Sequence, residues 1–426
     1  MTFQSPDTPL PARFRRVAWS NLAAQSAEQI ALAAAPIVAV LALGASAAET
    51  GLLQTILTLP FVLFAVPAGL LADRLSRRRL MAGAEALRAA ALLATLVLAA
   101  FGGLSWQLLA ALGFVSVCGT VMFSVAAPAL IPSLVPGAFL STANARIELA
   151  RTTAFAGGPA LGGALVGWIG AAGAFGLAAL LSLAAVFLLS RIEEPRREPV
   201  PPRHPLAEIR DGAAFVLRHE LLLPVFMTQV VFNAAFFLLL AVFVPYAVAV
   251  FVPYAVHVLA LSETTVGLTL GMMGAGMMVG AVLAPAILRV LPFGLVVAIG
   301  PLCGFAAAVA MAMTIVWPRP VLAVVSFFLL GVGPILWVIS TTTLRQSVTP
   351  PRLLGRVSAI NIMSYGARPL GSAMGAVVGG LAGAEMCLYL AAAIFAVQAL
   401  VIWLSPAVAL DRQPDMVPDE ALACAR

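Results

Sequence analysis

The amino-acid sequence predicts an all-α integral membrane protein with twelve transmembrane helices in two pseudo-symmetric six-helix bundles. The composition indicates a membrane protein, because 62% hydrophobic and 10% charged residues leave too little polar surface for a water-soluble chain of 426 residues. Twelve apolar segments reach the length of about 20 residues that a hydrocarbon core of about 30 Å requires. The two halves also share a loose internal repeat, which similar bundles related by pseudo-symmetry would produce.

The twelve segments divide into six before and six after a charged central stretch. They are residues 17–43, 50–71, 80–101, 104–130, 142–167 and 171–190 in the first half, and 221–248, 264–288, 292–316, 320–344, 357–380 and 384–404 in the second. The central stretch begins RIEEPRREPVPPRHP, which is too polar for lipid and favours extended chain. The predicted domains are an N-terminal bundle (1–190), a cytoplasmic linker (191–220), a C-terminal bundle (221–406) and a cytoplasmic tail (407–426).

The second half of the linker has the pattern of an amphipathic helix. Residues 205–220, PLAEIRDGAAFVLRHE, place apolar side chains at loosely helical spacing between charges. We predict a helix at the membrane surface here. A solvated linker without membrane contact is the alternative.

Arginines mark one side of the membrane. They lie in the N-terminal tail, the second, central, eighth and tenth loops and the C-terminal tail, and only Arg319 falls in an outer turn. Because basic residues concentrate in short cytoplasmic loops, both termini are predicted to face the cytoplasm of a bacterial inner membrane. The same distribution accounts for the formal charge of +6 without nucleic-acid binding.

Two repeats occur in the chain. LIPSLVPGAFLSTAN followed by GGPALGG recurs loosely as LRQSVTPPRLLGRVSAIN followed by ARPLGSAMG, and it relates the two halves. Coincidence among Gly- and Ala-rich helices is the alternative. The octapeptide FVPYAVAV at 243–250 is duplicated as FVPYAVHV at 251–258. The duplication lengthens the seventh segment beyond one membrane crossing, so we predict a kink at Pro245 or Pro253.

The charged loop GLLADRLSRRR at 69–79 is the most specific motif. Its pattern, G-x-x-x-D-R-x-x-R-R, resembles the loop between the second and third helices of the major facilitator superfamily of transporters, where glycine normally occupies the position of Ser76. A glycine lets helices approach closely, and an aspartate can cap a helix start while pairing with arginine. The resemblance implies a cytoplasmic latch that breaks during transport. Its residues are Gly69, Asp73, Arg74, Arg77 and Arg78, whereas Arg79 is expected to anchor topology by its charge.

The fifth segment carries a second family motif. Gly158, Pro159, Gly162 and Gly163 form G-P-x-x-G-G, which resembles the fifth-helix motif of proton-coupled drug exporters, although the glycine expected four residues upstream is Ala154. Generic packing of small residues between helices is the alternative. Five short segments of the chain together resemble the branch of enterobactin exporters and macrolide efflux proteins: LIPSLVP, STAN, GPALGG, VTPPRLLGRVSAIN and RPLG. This resemblance implies alternating access and proton-coupled export of a drug-like or siderophore-like amphipathic molecule. Where that branch often has Gly-Asp in the first helix, this chain has Ala27-Glu28.

Ionisable residues within apolar segments are costly and mark function or a paired structural role. Glu28 lies about 17 Å along its helix, near the membrane midplane, and is either a proton carrier or a permanently paired carboxylate. Arg368 lies at similar depth, as a counter-ion for Glu28 or an anchor for substrate. The other candidates for buried charges are Arg146, Glu148 and Arg151 in the fifth segment, with gating or intrahelical pairing as roles, and Glu85 and Arg88 in the third, as structural partners of the latch.

The polar residues Gln25, Asn233 and Asn361 are candidates for lining a substrate cavity. An adaptable apolar wall is predicted from Phe232, Phe236, Phe237, Met272, Met273 and Met277. For most of these residues core packing is the alternative. Such a wall suits bulky amphipathic compounds better than sugars, which need many hydrogen-bonding groups.

The sequence argues against an enzyme. The three histidines lie in the linker or near a loop, and the chain has neither metal-ligand spacing nor a glycine-rich phosphate loop. We therefore expect no cofactor and no metal. The expected partners are a small-molecule substrate, protons and the lipid bilayer, for a protein acting as a monomer. An importer, or a membrane scaffold or sensor without transport, remains an alternative.

Overall fold

The protein is described by a computed structural model over residues 11–45, 47–194, 205–241 and 263–417. Within these ranges the secondary structure is helical. The α-helices are α1 (Ala12–Leu41), α2 (Ala47–Leu63), α3 (Ala65–Arg74), α4 (Arg77–Ala100), α5 (Trp106–Leu130), α6 (Leu140–Ser190), α7 (Pro205–Arg218), α8 (Leu222–Ala241), α9 (Glu263–Val290), α10 (Phe293–Val316), α11 (Pro320–Val348), α12 (Leu354–Met363) and α13 (Ala367–Trp403).

The second apolar segment is split between α2 and α3. Helix α2 ends at Leu63 and α3 begins at Ala65. Pro67 explains the break, because it has no amide hydrogen to donate to the carbonyl of Leu63 four residues earlier. The chain resumes helical hydrogen bonding at Ala68, whose amide donates to Phe64 O at 2.9 Å. Helix α3 therefore brings the charged loop to its own C-terminal end.

Two long helices each contain a break at a glycine. In α6 the break is at Gly170 (φ 73°, ψ −178°), between the predicted fifth and sixth segments. In α13 it is at Gly383 (φ 83°, ψ 171°), between the predicted eleventh and twelfth segments. This backbone conformation is essentially restricted to glycine, because a Cβ atom would clash with the neighbouring peptide groups. The fifth and sixth segments are thus joined by the same kind of glycine break as the eleventh and twelfth.

Replacing Gly170 with alanine is expected to destabilise the protein by about 1–3 kcal/mol, because alanine would have to adopt a positive φ. Unfolding of the purified protein in detergent measures the change. The control is Gly167→Ala, three residues earlier at an open position within the helix, which should be neutral or slightly stabilising. Equal stability of the two variants would contradict a required glycine conformation at position 170.

The described residues include nine helices long and apolar enough to cross a membrane, or ten if the bent pair Arg210–Arg218 and Leu222–Leu238 counts as one span. The all-helical membrane architecture is therefore confirmed, and twelve spans stay a prediction. The octapeptide duplication, with Pro245 and Pro253, lies outside the described residues.

The chain falls into two compact units. The first comprises the described parts of Met1–Gly212, Gln346–Ile362 and Asp415–Arg426, and the second those of Ala213–Arg345 and Met363–Pro414. In the first, α1, α2, α4, α5 and α6 pack around side chains such as Ile30, Leu57 and Phe175. In the second, α8, α10, α11 and α13 pack around side chains such as Leu238 and Phe395. The first unit thus takes in a segment, 346–362, that belongs to the second half of the sequence.

Large apolar side chains also lie on the outside. Phe101 and Leu381 are each 85% exposed, and Trp168 is 79% exposed. Small residues let helices approach closely beneath this surface: a Cβ at Gly280 of α9 would lie 2.9 Å from the carbonyl oxygen of Val332 in α11. An apolar exterior over glycine-mediated helix contacts is typical of membrane bundles.

The linker contains the predicted helix, α7, over Pro205–Arg218. It meets α8 at an angle of 97°. At the bend the Leu221 amide donates to His219 Nδ1 at 3.1 Å, and the His219 ring packs 5.4 Å from that of Phe215. Burial lowers the pKa of His219 below its ordinary value. The ring is therefore mainly neutral at pH 7, which the accepting Nδ1 requires.

Candidate functional site

The carboxylate of Asp73 holds the start of α12. It accepts hydrogen bonds from the backbone amides of Gly355 at 2.7 Å and Arg356 at 3.1 Å, and the Arg356 Nε lies 3.2 Å from its Oδ2. Helix α12 begins at Leu354, so these amides belong to its first turn, where unpaired N–H groups and the helix dipole attract an anion. The Asp73 side chain is 1% exposed. Asp73 thus caps a helix that begins about 280 residues later in the sequence.

Two glycines make this cap possible. A Cβ at Gly69 would lie 2.6 Å from Ala359 Cβ and 3.0 Å from Gly355 O. A Cβ at Gly355 would lie 2.6 Å from Gly69 O. Since these separations are too short for real side chains, α3 and α12 touch backbone to backbone. We call Gly69, Asp73, Arg77, Gly355 and Arg356 the Asp73 clamp.

Arg77 contributes the second part of the clamp. This residue is 2% exposed, and its guanidinium group donates to the carbonyl oxygens of Ala129, at the end of α5, and Pro351, in the turn before α12. Close by in sequence, Gln346 Nε2 donates to Pro128 O at 2.8 Å, and Asn144 Nδ2 donates to Gln346 Oε1 at 2.6 Å. Hydrogen bonds to charged donors are stronger than neutral ones. Polar contacts therefore join the segment 346–362 to α3, α4, α5 and α6.

The other arginines of the loop have different surroundings. Arg74 is exposed, and Arg78 Nη1 donates to Ser190 O at 3.0 Å at the end of α6. The Glu194 carboxylate accepts from the Ser76 hydroxyl and from the amides of Arg77 and Arg78, so it caps the start of α4. The sequence did not identify Glu194, Gly355 or Arg356 as site residues. The repeat segment VTPPRLLGRVSAIN was the available signal for the latter two.

Glu28 lies beside an arginine inside the first unit. Its Oε2 is 4.0 Å from Arg88 Nη2, and its side chain is 11% exposed. Arg88 Nη1 lies 2.8 Å from Glu85 Oε1 and donates to Ala24 O at 2.9 Å, while its Nη2 donates to Thr120 Oγ1 at 2.6 Å. Arg88, expected together with Glu85 to support the loop, therefore contacts α1 and α5 beside Glu28, and Glu85 pairs with Arg88. Within the first unit, Arg88 is thus the arginine that stands beside Glu28.

A small cavity opens at Glu28. Its volume is about 30 Å³, enough for one or two water molecules. Polar groups along its wall come from Glu28, Thr95, Ser116 and Thr120, and apolar groups include Leu57 and Phe175. The Glu28 carboxylate thus has contact with space that can hold water.

The glycines of the fifth-helix motif pack against α1 at residues that follow Glu28. A Cβ at Gly158 would overlap Gln29, and one at Gly162 would lie 2.8 Å from Ile30 O. A Cβ at Gly163 would be in ordinary contact with Ile37, at 3.6 Å. The backbone of Pro159 is helical within α6. The motif therefore sets how closely α6 approaches the helix that carries Glu28.

Gly158→Ala is expected to cost about 1–3 kcal/mol, because the added methyl group must push α1 and α6 apart. The adjacent Gly157→Ala is the matched control, since a Cβ at Gly157 meets nothing within 4 Å. Thermal unfolding in detergent measures both variants. If Gly158→Ala were as stable as Gly157→Ala, the close helix contact would be wrong.

Among the predicted buried charges, Arg146 is exposed and Arg151 is only half-buried. Arg146 is exposed on α6, whereas Glu148 is 5% exposed. Two residues along an α-helix span about 200°, so the two side chains leave on nearly opposite faces. Glu148 Oε1 accepts from Arg151 Nε at 2.8 Å, and the Arg151 side chain is 39% exposed. The sequence was right about the spacing of Glu148 and Arg151 and wrong about the burial of Arg146.

In the second unit Arg368 lies among aromatic rings. Its guanidinium carbon is 3.7 Å from the centroid of the Tyr365 ring and 5.0 Å from that of Phe237. Its Nε donates to Asn233 Oδ1 at 2.9 Å, and Asn233 Nδ2 donates to Gln229 O at the same distance. A planar guanidinium between rings is held by cation–π attraction. Arg368 and Asn233, chosen separately from the sequence, thus belong to one group.

The remaining cavity candidates do not form a comparable group of polar and aromatic side chains in the described residues. Gln25 and Asn361 are half-buried. Phe232 and Phe236 stack with centroids 5.5 Å apart, and both pack on the core of the second unit with Met272 and Met273. Core packing is thus the observed arrangement for these four apolar residues. Among the described residues, no group of three or more His, Cys, Asp or Glu side chains is placed to hold a metal ion.

Known proteins resemble this chain in sequence and in fold. The Major Facilitator Superfamily model matches residues 17–369. An uncharacterized MFS-type transporter of Sinorhizobium fredii is 28% identical over 278 residues, which are 61% of this chain and 64% of that protein. The match therefore spans less than two thirds of the relative's length.

Solved structures share the fold at low identity. A bacterial homologue of the iron transporter ferroportin, in an outward-facing state, has a TM-score of 0.74 and 17% identity, covering 92% of this chain and 99% of its own. The human organic anion transporter TETRAN has a TM-score of 0.70 and 17% identity, covering 92% and 100%. A proton:xylose symporter has a TM-score of 0.70 and 13% identity, covering 96% and 98%. With the family model matching most of its length, the chain belongs to the Major Facilitator Superfamily.

Proposed function

We propose that this protein is a proton-coupled exporter of an amphipathic, drug-like or siderophore-like small molecule. It has twelve transmembrane helices in two six-helix bundles and works by alternating access as a monomer. It lies in a bacterial inner membrane with both termini in the cytoplasm, and it belongs to the branch of enterobactin exporters and macrolide efflux proteins. The sequence motifs quoted above support the branch and the direction of transport.

The observation that carries proton coupling is the position of Glu28. A carboxylate inside a membrane helix is costly, and it persists where it serves a function or a pair. Glu28 adjoins a cavity that can hold water and stands 4.0 Å from Arg88, farther than Glu85 does. Water access lets the carboxylate exchange a proton, and incomplete pairing leaves room for the protonated form. A proton bound there from outside and released inside would drive export.

The Asp73 clamp supports alternating access. Its contacts are polar, and they join backbone amides and carbonyl oxygens that water can solvate when the clamp opens. A contact of this kind can be broken and re-formed, whereas an apolar core of the same size would have to be rebuilt. The clamp therefore suits a gate that opens once in each transport cycle.

The group around Arg368 supports an amphipathic substrate. It combines a guanidinium group, which stays charged at every physiological pH, with the rings of Tyr365 and Phe237. Such a group can bind an acidic or hydroxyl-bearing end of a compound while the rings contact its apolar part. Of the two roles considered for Arg368 from the sequence, this arrangement supports that of a substrate anchor.

The test is a transport assay on a panel of compounds. Fluorescent dyes, macrolides and siderophores are supplied to efflux-deficient cells with and without the protein, and accumulation is measured before and after a protonophore. The expected result is lower accumulation of at least one compound, which the protonophore abolishes. Arg368→Gln should weaken export of that compound at unchanged membrane expression.

Other results would overturn parts of the proposal. Raised accumulation would indicate import. Lower accumulation that the protonophore leaves unchanged would remove proton coupling. No effect on any compound of the panel, with membrane expression verified, would count against this substrate class and favour a scaffold or sensor.

A further inference from the structure

Five charged side chains on three helices of the first unit form two groups, one around Arg88 and one around Arg151, and we call them together the Glu28 cluster. They are Glu28 on α1, Glu85 and Arg88 on α4, and Glu148 and Arg151 on α6. Arg88 and Glu85 are 1% and 0% exposed, and Glu148 is 5% exposed. The Arg151 charge acts on Glu28 from α6 together with those of Arg88 and Glu85. From α2 and α5, the cavity is lined by Leu57 and by residues such as Ser116 and Thr120, which carry no charge.

The charges of this cluster do not balance. Glu28 and Glu85 share the guanidinium group of Arg88, and the Glu148–Arg151 pair adds no net charge. The cluster therefore carries one net negative charge when every group is ionised. An uncompensated charge inside a membrane protein is costly, and uptake of one proton removes it. The charge count therefore favours a cluster that holds one proton.

The distances decide which carboxyl group carries that proton. Glu85 Oε1 lies 2.8 Å from Arg88 Nη1, and Glu148 Oε1 accepts from Arg151 Nε at 2.8 Å. Both carboxylates thus have a guanidinium partner in direct contact. Glu28 Oε2 stands farther from its cation, at 4.0 Å from Arg88 Nη2. Glu28 is also the carboxyl group of the cluster that lines the cavity.

We propose that Glu85 is a positioning residue for proton coupling. Because Glu85 pairs closely with Arg88, Glu28 has no cation in direct contact and can bind and release one proton per transport cycle. This inference rests on the proposed function and adds its stoichiometry. The proton comes from water on one side of the membrane, forms an O–H bond with the Glu28 carboxylate, and returns to water on the other side. Glu85 stays ionised throughout, because its guanidinium partner does not leave.

The experiment measures protonation directly, without substrate. The purified protein in lipid nanodiscs is titrated while infrared difference spectra record the C=O stretch of protonated carboxyl groups. The wild-type protein should show one titrating buried carboxyl group, and Glu28→Gln should remove it. Glu85→Gln keeps the side-chain shape but frees Arg88 to pair with Glu28. The titration midpoint should then move to lower pH by about 1–3 units.

Three further variants separate the effect of charge from a folding defect in Glu85→Gln. Arg88→Gln removes the cation, so a second protonated carboxyl group should appear. In the double variant Glu85→Gln/Arg88→Gln the net charge returns to that of the wild type, and the midpoint should return with it. Glu148→Gln makes the same charge change beside Arg151, which is 39% exposed, so water should screen it and the shift should be smaller.

An unchanged midpoint in Glu85→Gln, or a double variant that does not return to the wild-type value, would overturn the role of Glu85. Persistence of the titrating group in Glu28→Gln would place the proton elsewhere. These outcomes are separate from a failure of the proposed function. A protein that exports nothing could still bind one proton under the control of Glu85, and a proton-driven exporter could bind its proton without that control.

Discussion

Replacing Glu28 with glutamine is expected to abolish proton-driven transport while the protein still folds and inserts. Glutamine has the same shape but cannot take up a proton, so a pH gradient would no longer perform work on the substrate. The variant should remain folded, because Glu85 and Glu148 still pair with Arg88 and Arg151 and the cluster becomes neutral. The measurement is substrate flux into proteoliposomes under an imposed pH gradient, with a compound identified in the cell assay.

Two controls make this result specific. Exchange of labelled for unlabelled substrate in the absence of a pH gradient should survive in Glu28→Gln, which would exclude a misfolded protein. Glu193→Gln removes a carboxylate that is 81% exposed and paired with Arg13, so it should transport as the wild type does. Full proton-driven flux in Glu28→Gln would remove Glu28 from the mechanism.

Asp73→Asn is expected to release the Asp73 clamp. The substitution removes the charge that two backbone amides and the Arg356 side chain share, and the Arg356 side chain is 9% exposed. Breaking a buried charge pair costs about 3–5 kcal/mol. Because every 1.4 kcal/mol changes a population about tenfold, the population of the clamped state relative to the open one should fall by about two to three orders of magnitude. Transport should fall, since the clamp no longer closes in each cycle.

The clamp can be followed by labelling. Ser358 lies on α12 and is 4% exposed, so Ser358→Cys, in a protein lacking the native cysteines, should react slowly with a polar maleimide. Adding Asp73→Asn should raise the labelling rate by at least about tenfold. Arg79→Gln is the matched control, because Arg79 is an exposed charge of the same loop. Equal labelling rates with and without Asp73→Asn would show that Asp73 does not hold α12.

Local sequence patterns predicted most of the helices, and the reason is physical. A span requires a run of apolar residues whose backbone groups are hydrogen-bonded within the run, so its position can be read from nearby residues alone. The predicted segment 292–316 is α10 almost unchanged, and the turns after the fifth and eleventh segments fall at Gly170 and Gly383. The second segment was predicted as one continuous helix, although Pro67 indicates a break in it.

The sequence identified candidate site residues from their charge and their position in an apolar segment or motif. It did not identify the residues with which they pair. Burial in an apolar segment singled out Glu28, Arg88 and Arg368, and the family motif singled out Asp73. Nothing local indicated that Arg88 stands beside Glu28, since α4 and α1 meet only through the packing of the unit. Arg146 was misjudged because hydropathy gives the segment in which a residue lies and not the face of the helix from which it projects.

The sequence by itself determined the membrane class, the superfamily motifs and the types of charge placed within the apolar segments. Only the tertiary structure decided that Asp73 caps α12, 282 positions away from Gly355, and that Glu85 takes the close contact with Arg88 while Glu28 stands farther off. The physical reason is that helix formation in lipid depends on neighbours along the chain. Electrostatic pairing instead depends on distances of a few ångströms between helices, which packing alone sets.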